Sequence, residues 1–182
     1  VDNLFTNPIS FTLTNTVGAH TFVLNCINNK VNKIIQISSD EVYGEKLSGK
    51  CNEKQKIDPT NPYSASKAAA EVIINSHKFS YKKEILTVRG NNVYGIRQFP
   101  EKLIPRSIVS VLRNKKIPLH GNGKNIRYYL SAKDFAKATC LLIKKRNKGI
   151  YNVGSEESYT NIQIATKICE ILNKNPKQFI KF

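Results

Sequence analysis

Lys33-Ile34-Ile35-Gln36-Ile37-Ser38-Ser39-Asp40-Glu41-Val42-Tyr43-Gly44 is the stretch from which the fold is read. Three isoleucines in four positions, with polar residues on either side, predict a strand over Ile34–Ser38 buried on both faces of a parallel sheet. The strand ends in two hydroxyls and two adjacent carboxylates. Ligands in open α/β sheets sit just beyond the carboxyl ends of strands. Asp40 and Glu41 therefore place two acid/base groups where chemistry is expected; taken alone, the same residues also suit a solvated turn.

Working outward, Asn7-Pro8 suits a helix start, with Asn as N-cap and Pro at the first helical position. Apolar residues then recur at three- and four-residue steps through Asn28. Gly18 inside this helix costs roughly 1 kcal/mol against Ala, which a close backbone or ligand approach would rationalise. Gly44 to Asp58 reads as a surface loop. Asn61-Pro62 opens a second helix to about Ser80, and Glu84–Arg89 is a second core strand. Strand, helix and strand at this spacing predict a parallel βαβ unit. Further on, a helix is expected from Pro100-Glu101 to about Asn114 and a strand over Ile117–His120. A turn follows at Gly121-Asn122-Gly123, then an edge strand near Ile126–Leu130 and a helix from Ala132 to Lys145. A strand at Gly149–Gly154, a helix over Asn161–Leu172 and the beginning of a strand at Ile180 complete the series.

Composition narrows the function classes. With 182 residues, 40% of them hydrophobic, the chain can bury a real core. No apolar run approaches the roughly 20 residues of a membrane span, and no signal peptide is visible, so neither membrane insertion nor secretion is expected. Four scattered cysteines without a C-x-x-C pair read as reduced thiols of a cytoplasmic protein, and three scattered histidines argue against a metal site. The net charge of +16 suits nucleic acid or an anionic substrate. Its lysines are spread along the chain without interleaved aromatics, however, so specific nucleic-acid binding is not expected.

Tyr63 and Lys67, four apart on one predicted helix, project from the same face. An ammonium beside a phenol favours the phenolate, so the pair predicts a general base for a sugar or alcohol hydroxyl, with the Tyr63 pKa lowered. Tyr129 and Lys133 share that spacing; only Tyr63 follows an acid-tipped strand.

In that context, Ser38-Ser39-Asp40-Glu41-Val42-Tyr43-Gly44 and Pro59-Thr60-Asn61-Pro62-Tyr63-Ser64-Ala65-Ser66-Lys67 resemble the extended short-chain dehydrogenase/reductase family. Within it the chain is most similar to the nucleotide-sugar 4,6-dehydratases acting on dTDP-glucose or UDP-glucose. The segments Arg89–Gly95, Gln98–Pro105, Gly121–Arg127 and Tyr151–Gly154 match that subfamily in order and spacing. The resemblance implies an α/β fold: part of a Rossmann-type parallel sheet with flanking helices, plus a smaller mixed α/β substrate lobe. It implies NAD as cofactor, a nucleotide-diphosphate glucose as substrate and a homodimer formed through the two long helices. The reaction it implies is oxidation at C4, elimination of water across C5–C6 and re-reduction at C6. Tyr63 with Lys67 would take the 4-hydroxyl proton, Glu41 the C5 proton, and Asp40 would protonate the leaving 6-hydroxyl. Ser39, where the family usually has Thr, would hydrogen-bond the 4-oxygen. Asn15, Ser38, Tyr63 and Lys67 correspond to cofactor contacts. Asn92, at a strand's carboxyl end, and Arg127 correspond to diphosphate contacts, while Glu101, Lys102 and Asn152 correspond to other sugar-nucleotide contacts.

Departures accompany the match. The chain has no glycine-rich phosphate loop after a first strand, and it opens where the family's domain is already partly complete. It is therefore expected to be an internal fragment, with residues 1–99 the later part of the NAD domain. Residues 100–182 would be mainly substrate lobe, some segments returning to the core. Tyr128 and Tyr129 stand where the family has an acid and an aromatic, and Ser131 and Lys133 also differ. An epimerase or decarboxylase of the same superfamily is the alternative, which Asp40 opposes. An inactive basic remnant is the third reading.

Overall fold

Helix α1 begins at Pro8–Phe11, passes through a π-helical segment at Thr12–Val17 and continues as Gly18–Asn28. In this computed structural model, which describes residues 6–45 and 51–181, α1 leads into strand β1 (Lys33–Ser39). Asn7 occupies the N-cap position, but its side chain makes no capping bond; instead Ser10 Oγ donates to the Asn7 carbonyl at 2.7 Å. Gly18 closes the π segment, its N–H donating to Leu13 O. A Cβ there would meet that oxygen at an ordinary 3.5 Å, so the expected close approach is absent.

Strand β1 runs parallel to β2 (Glu84–Gly90), which runs parallel to β6 (Gly149–Val153), giving the order β1-β2-β6. Between β1 and β2 lies α2 (Pro62–Ser80), the predicted βαβ unit. Asn61 caps α2 as expected: Oδ1 accepts from the Ser64 N–H at 2.9 Å, and Ser64 Oγ accepts from the Asn61 N–H at 3.2 Å. This reciprocal pair, with Pro62 behind it, satisfies donors the first turn would otherwise leave bare. Ile34 and Ile85 pack with Val23 of α1 and Ile74 of α2. Burial alternates along β1, however: Ile34 is 4% exposed and Ile37 45%. Within this chain the strand is therefore covered chiefly on the helical face.

These elements belong to one unit, Val1–Asn91 with Lys137–Val153; the other comprises Asn92–Ala136 and Gly154–Phe182. In the second, β3 (Asn92–Tyr94), β5 (Ile126–Ser131) and β7 (Ser158–Thr160) form a sheet in the order β3-β5-β7. So β5 is the middle strand rather than an edge; its neighbours are too short to show a period in sequence. Helix α3 (Leu103–Leu112) starts later than expected, and β4 spans only Ile117–Pro118, pairing with β8 (Ile180–Lys181). Val111, Ile117, Leu119 and Phe179 form this unit's core with Ala165 and Cys169 of α5 (Asn161–Ile171). Short α6 (Pro176–Phe179) supplies the Phe179 contact, and α4 (Ala132–Lys144) starts in this unit and continues into the first. The loop over Gly44–Asp58 contains no helix or strand among its described residues; 46–50 and Phe182 lie outside them.

Candidate active site

The last pair of the parallel β1–β2 ladder is Ser39↔Gly90. The next residue on each strand, Asp40 and Asn91, therefore emerge side by side at the carboxyl end of the sheet. Asn91 Nδ2 donates to Asp40 Oδ2 at 2.7 Å. Directly after β1 the chain winds into a single 3₁₀ turn, Asp40–Tyr43, capped by Ser39 Oγ accepting from the Glu41 N–H at 3.2 Å. That turn aims the two adjacent carboxyls differently. Asp40 Oδ1 lies 3.4 Å from Ser39 Oγ, whereas Glu41 Oε2 accepts from the Nδ2 of Asn61 at 3.4 Å. The residue that starts α2 thus also holds Glu41.

Tyr63 joins this group from the first turn of α2. Its phenol is buried beside Glu41, Ser39 and Asp40, and its ring meets Phe11 of α1 edge-on, centroids 6.0 Å apart. Asn15, in the π-helical segment, donates to Ser66 Oγ at 3.0 Å; Ser66 Oγ in turn donates to the Tyr63 carbonyl at 2.7 Å. Thr16 Oγ1 binds the Ser66 carbonyl at 3.0 Å, so α1 is pinned to the turn that carries Tyr63. Lys67 lies one turn on, and its ammonium donates to the Ile37 carbonyl at 2.7 Å. The Ser38 hydroxyl is buried, with no partner among the described residues.

Electrostatics here differ from the sequence expectation. Burial, then the Glu41 charge, raise the Tyr63 pKa, with the Ser39 hydrogen bond opposing them and Asp40 adding to the rise. Lys67 does not lower it; burial pulls its own ammonium below its usual range, with the Glu71 charge pushing back. Helical spacing fixed the shared face but not where a four-carbon stem would reach. Asp40 is raised by burial; the Asn91 hydrogen bond opposes this, the neighbouring Glu41 charge reinforces it, and bonds from Ser39 and the Glu41 backbone oppose it.

Behind the turn lies a charge network that sequence reading missed. Glu71, Arg89 and Tyr43 are all nearly fully buried. Arg89 Nε donates to Glu71 Oε1 at 3.0 Å, Nη2 to Oε2 at 2.5 Å and Nη1 to Tyr43 Oη at 2.6 Å. The guanidinium also lies 4.7 Å from the Tyr43 ring centre. Burial works against the Arg89 charge, but bonds to Glu71 and Tyr43 outweigh it and raise its pKa. Tyr43 Oη then donates to Asn152 Oδ1 at 2.8 Å. Glu71 continues the Tyr63–Lys67 face at the same four-residue step, which is the signal that could have revealed it.

The network reaches Asn152 as well. Asn152 Nδ2 donates to the Cys51 carbonyl at 3.0 Å and its N–H to Glu53 Oε1 at 2.9 Å, so its amide is engaged at both ends within the fold. Asn92 does not sit at the carboxyl end of β2; it opens β3 in the second unit, donating to the Tyr128 carbonyl at 3.5 Å. The residue at that strand end is Asn91. In the second unit Arg127 is exposed on β5, and Glu101 and Lys102 are exposed and paired at 3.2 Å. Tyr129 lies on β5 and Lys133 on α4, so their spacing creates no shared helix face. Among the described residues, no three His, Cys, Asp or Glu side chains group to hold a metal ion.

A parallel sheet with helices, carrying a Tyr–Lys helix face beside an acid-tipped strand end, is a Rossmann-type arrangement of the short-chain dehydrogenase/reductase class. Residues 1–179 match the family model described as GDP-mannose 4,6 dehydratase, and the chain belongs to that family. It is 40% identical over 187 residues to a trifunctional UDP-glucose 4,6-dehydratase/UDP-4-keto-6-deoxy-D-glucose 3,5-epimerase/UDP-4-keto-L-rhamnose-reductase of Arabidopsis thaliana, covering 100% of this chain and 28% of that protein. It is 42% identical to the dTDP-D-glucose 4,6-dehydratase of Dictyostelium discoideum, over 94% of this chain and 42% of the relative. The crystal structure of DesIV, a dTDP-glucose 4,6-dehydratase from Streptomyces venezuelae with NAD and TYD bound, superposes with a TM-score of 0.95 at 29% identity. That match covers 100% of this chain and 56% of the other. The chain thus spans about half or less of the length of these proteins.

Proposed function

We propose that the protein to which this chain belongs is an NAD-dependent hydro-lyase that converts a nucleotide-diphosphate glucose to the 4-keto-6-deoxy sugar. The observation that carries the reading is the Asp40–Glu41 turn packed against Tyr63 at the end of β1. Elimination needs an acid and a base at once, and an acid works at neutral pH only if its proton is retained. Burial and the adjacent Glu41 charge raise the Asp40 pKa above the usual carboxylate range, the direction that suits it to protonate the departing 6-hydroxyl. Glu41 takes the proton from C5. Ser39 hydrogen-bonds the 4-oxygen while Tyr63 receives the 4-hydroxyl proton. Because its pKa is raised, the Tyr63 phenolate that accepts this proton forms only as pH rises, so the transfer is expected to speed up with pH.

The residues present fit the nicotinamide end of a dinucleotide. The orphaned Ser38 hydroxyl offers a buried polar contact, the Lys67 ammonium lies at β1, and Asn15 packs over the turn bearing Tyr63. Bound NAD would supply the reversible two-electron oxidation that brackets the elimination. In the second unit, the exposed Arg127 guanidinium suits a diphosphate, and Asn92, Glu101 and Lys102 complete the proposed nucleotide-sugar contacts. Exposed apolar residues on α1 (Leu13, Val17, Phe22) and α2 (Val72, Phe79) suit a homodimer through these helices. A cytoplasmic location suits four free cysteines.

The test is incubation of the full-length protein with NAD⁺ and dTDP-glucose or UDP-glucose, with product analysis by mass spectrometry and NMR. A 4-keto-6-deoxy product is expected, lost in D40N. A 4-epimer or a pentose instead would overturn the reading.

A further inference from the structure

We propose that Asn91 is a positioning residue for the acid of the elimination: it fixes which oxygen of Asp40 carries the proton that leaves. This rests on the dehydratase reading above. The Asn91 amide donates to Oδ2 at 2.7 Å, the shortest polar contact that Asp40 makes with another side chain. An oxygen accepting at that distance offers its lone pair to the amide, so the proton of the acid form resides on Oδ1. The nearest side-chain partner of Oδ1 is Ser39 Oγ at 3.4 Å, a weak contact. The proton is therefore held on the oxygen with the weaker side-chain partner.

Backbone geometry supplies the pairing. Asn91 follows Gly90, whose ladder partner is Ser39, and its own N–H reaches the Val153 carbonyl at 3.4 Å. The side chain thus comes from a backbone tied to the ends of β2 and β6. Charged and titratable groups facing Asp40 are Glu41 on its own turn and Tyr63 on α2. Of the two, the Glu41 charge makes ionisation of Asp40 harder. Asn91 donates to Asp40 from just beyond β2, and it favours the carboxylate, keeping the acid strong enough to release its proton.

The experiment uses the full-length protein, its N91A and isosteric N91D variants, and ¹³C-aspartate labelling. The Asp40 carboxyl signal is assigned by its loss in D40N. In N91A the Asp40 titration should move to higher pH, and kcat should fall about tenfold or more with KM changed less than about threefold. N91D, the same shape with a second carboxyl in place of the amide, should push the Asp40 titration further up and lose at least as much, which guards against N91A failing to fold. The alkaline limb of the pH–kcat profile should shift up with the titration. An unmoved titration with unchanged kcat overturns the proposal. So does a shift to lower pH, which would mean that the Asn91 carbonyl accepts the Asp40 proton. If the wild type makes no 4-keto-6-deoxy sugar, the dehydratase reading itself fails, and the titration still reports separately whether Asn91 donates to Asp40.

Discussion

Asp40 illustrates how a single carboxyl acquires a role from its surroundings. Burial raises its pKa in the folded state above that of an unfolded aspartate. The native state therefore binds the proton more tightly, and stability falls as pH rises from the unfolded value through the folded one. Replacing it with Asn removes that dependence and can still accept from Asn91. D40N should be more stable than the wild type at neutral pH, with the difference vanishing once pH drops below the ordinary carboxylate range. Denaturant melts across pH would show this. The same variant should lose roughly a hundredfold or more in dehydration rate, so stability and activity move in opposite directions. A parallel loss of both would contradict the assignment of Asp40 as a buried acid.

At the scale of elements, the site is assembled by two short connections rather than by long contacts. Asn61 caps α2 and also reaches Glu41, so one side chain fixes both where the helix starts and where the base points. N61A should cost about 1 kcal/mol for the cap, measurable as a drop of roughly 2–4 °C in Tm, and should weaken activity beyond what that loss explains. Gly44 ends the Asp40–Tyr43 turn at φ +77°, where a Cβ would lie 2.1 Å from the Asp58 carbonyl. Only glycine lets the following loop close back on the turn there. The buried Glu71–Arg89–Tyr43 chain ties α2, β2 and the turn into one rigid frame. Such pairs are weak net stabilisers but strongly resist having one partner removed.

On the scale of the whole molecule, α1 and α2 bury Val23 and Ile74 inward and leave Leu13, Val17, Phe22, Val72 and Phe79 outward. The dimer proposed for these faces should appear in sedimentation equilibrium of the full-length protein. A charge at Leu13 or Val72 should dissociate it while leaving the site residues in place; a wild type that sediments as a monomer would remove the proposal. No helix among the described residues is long and apolar enough to cross a membrane.

Much of the frame was legible in sequence because it is local. Isoleucine clustering marked β1, Asn61-Pro62 marked the start of α2, and their spacing implied the parallel pair. Family motifs carried the catalytic group, because residues near one another in sequence form it. What escaped was set by reach and register. The three-residue strands β3 and β7 are too short for a period to declare them, so β5 looked like an edge. The Lys67 stem found the Ile37 carbonyl instead of Tyr63. The bonds of Asn152 to Tyr43, Cys51 and Glu53 join segments about a hundred residues apart, beyond any local pattern. The sequence by itself determined that two carboxyls follow a buried strand and that a Tyr–Lys helix comes next. Only the tertiary structure decided that Asn91 meets Asp40, because that contact depends on the ladder register between strands fifty residues apart. Register is set by packing and backbone pairing summed over the sheet, which no local pattern records.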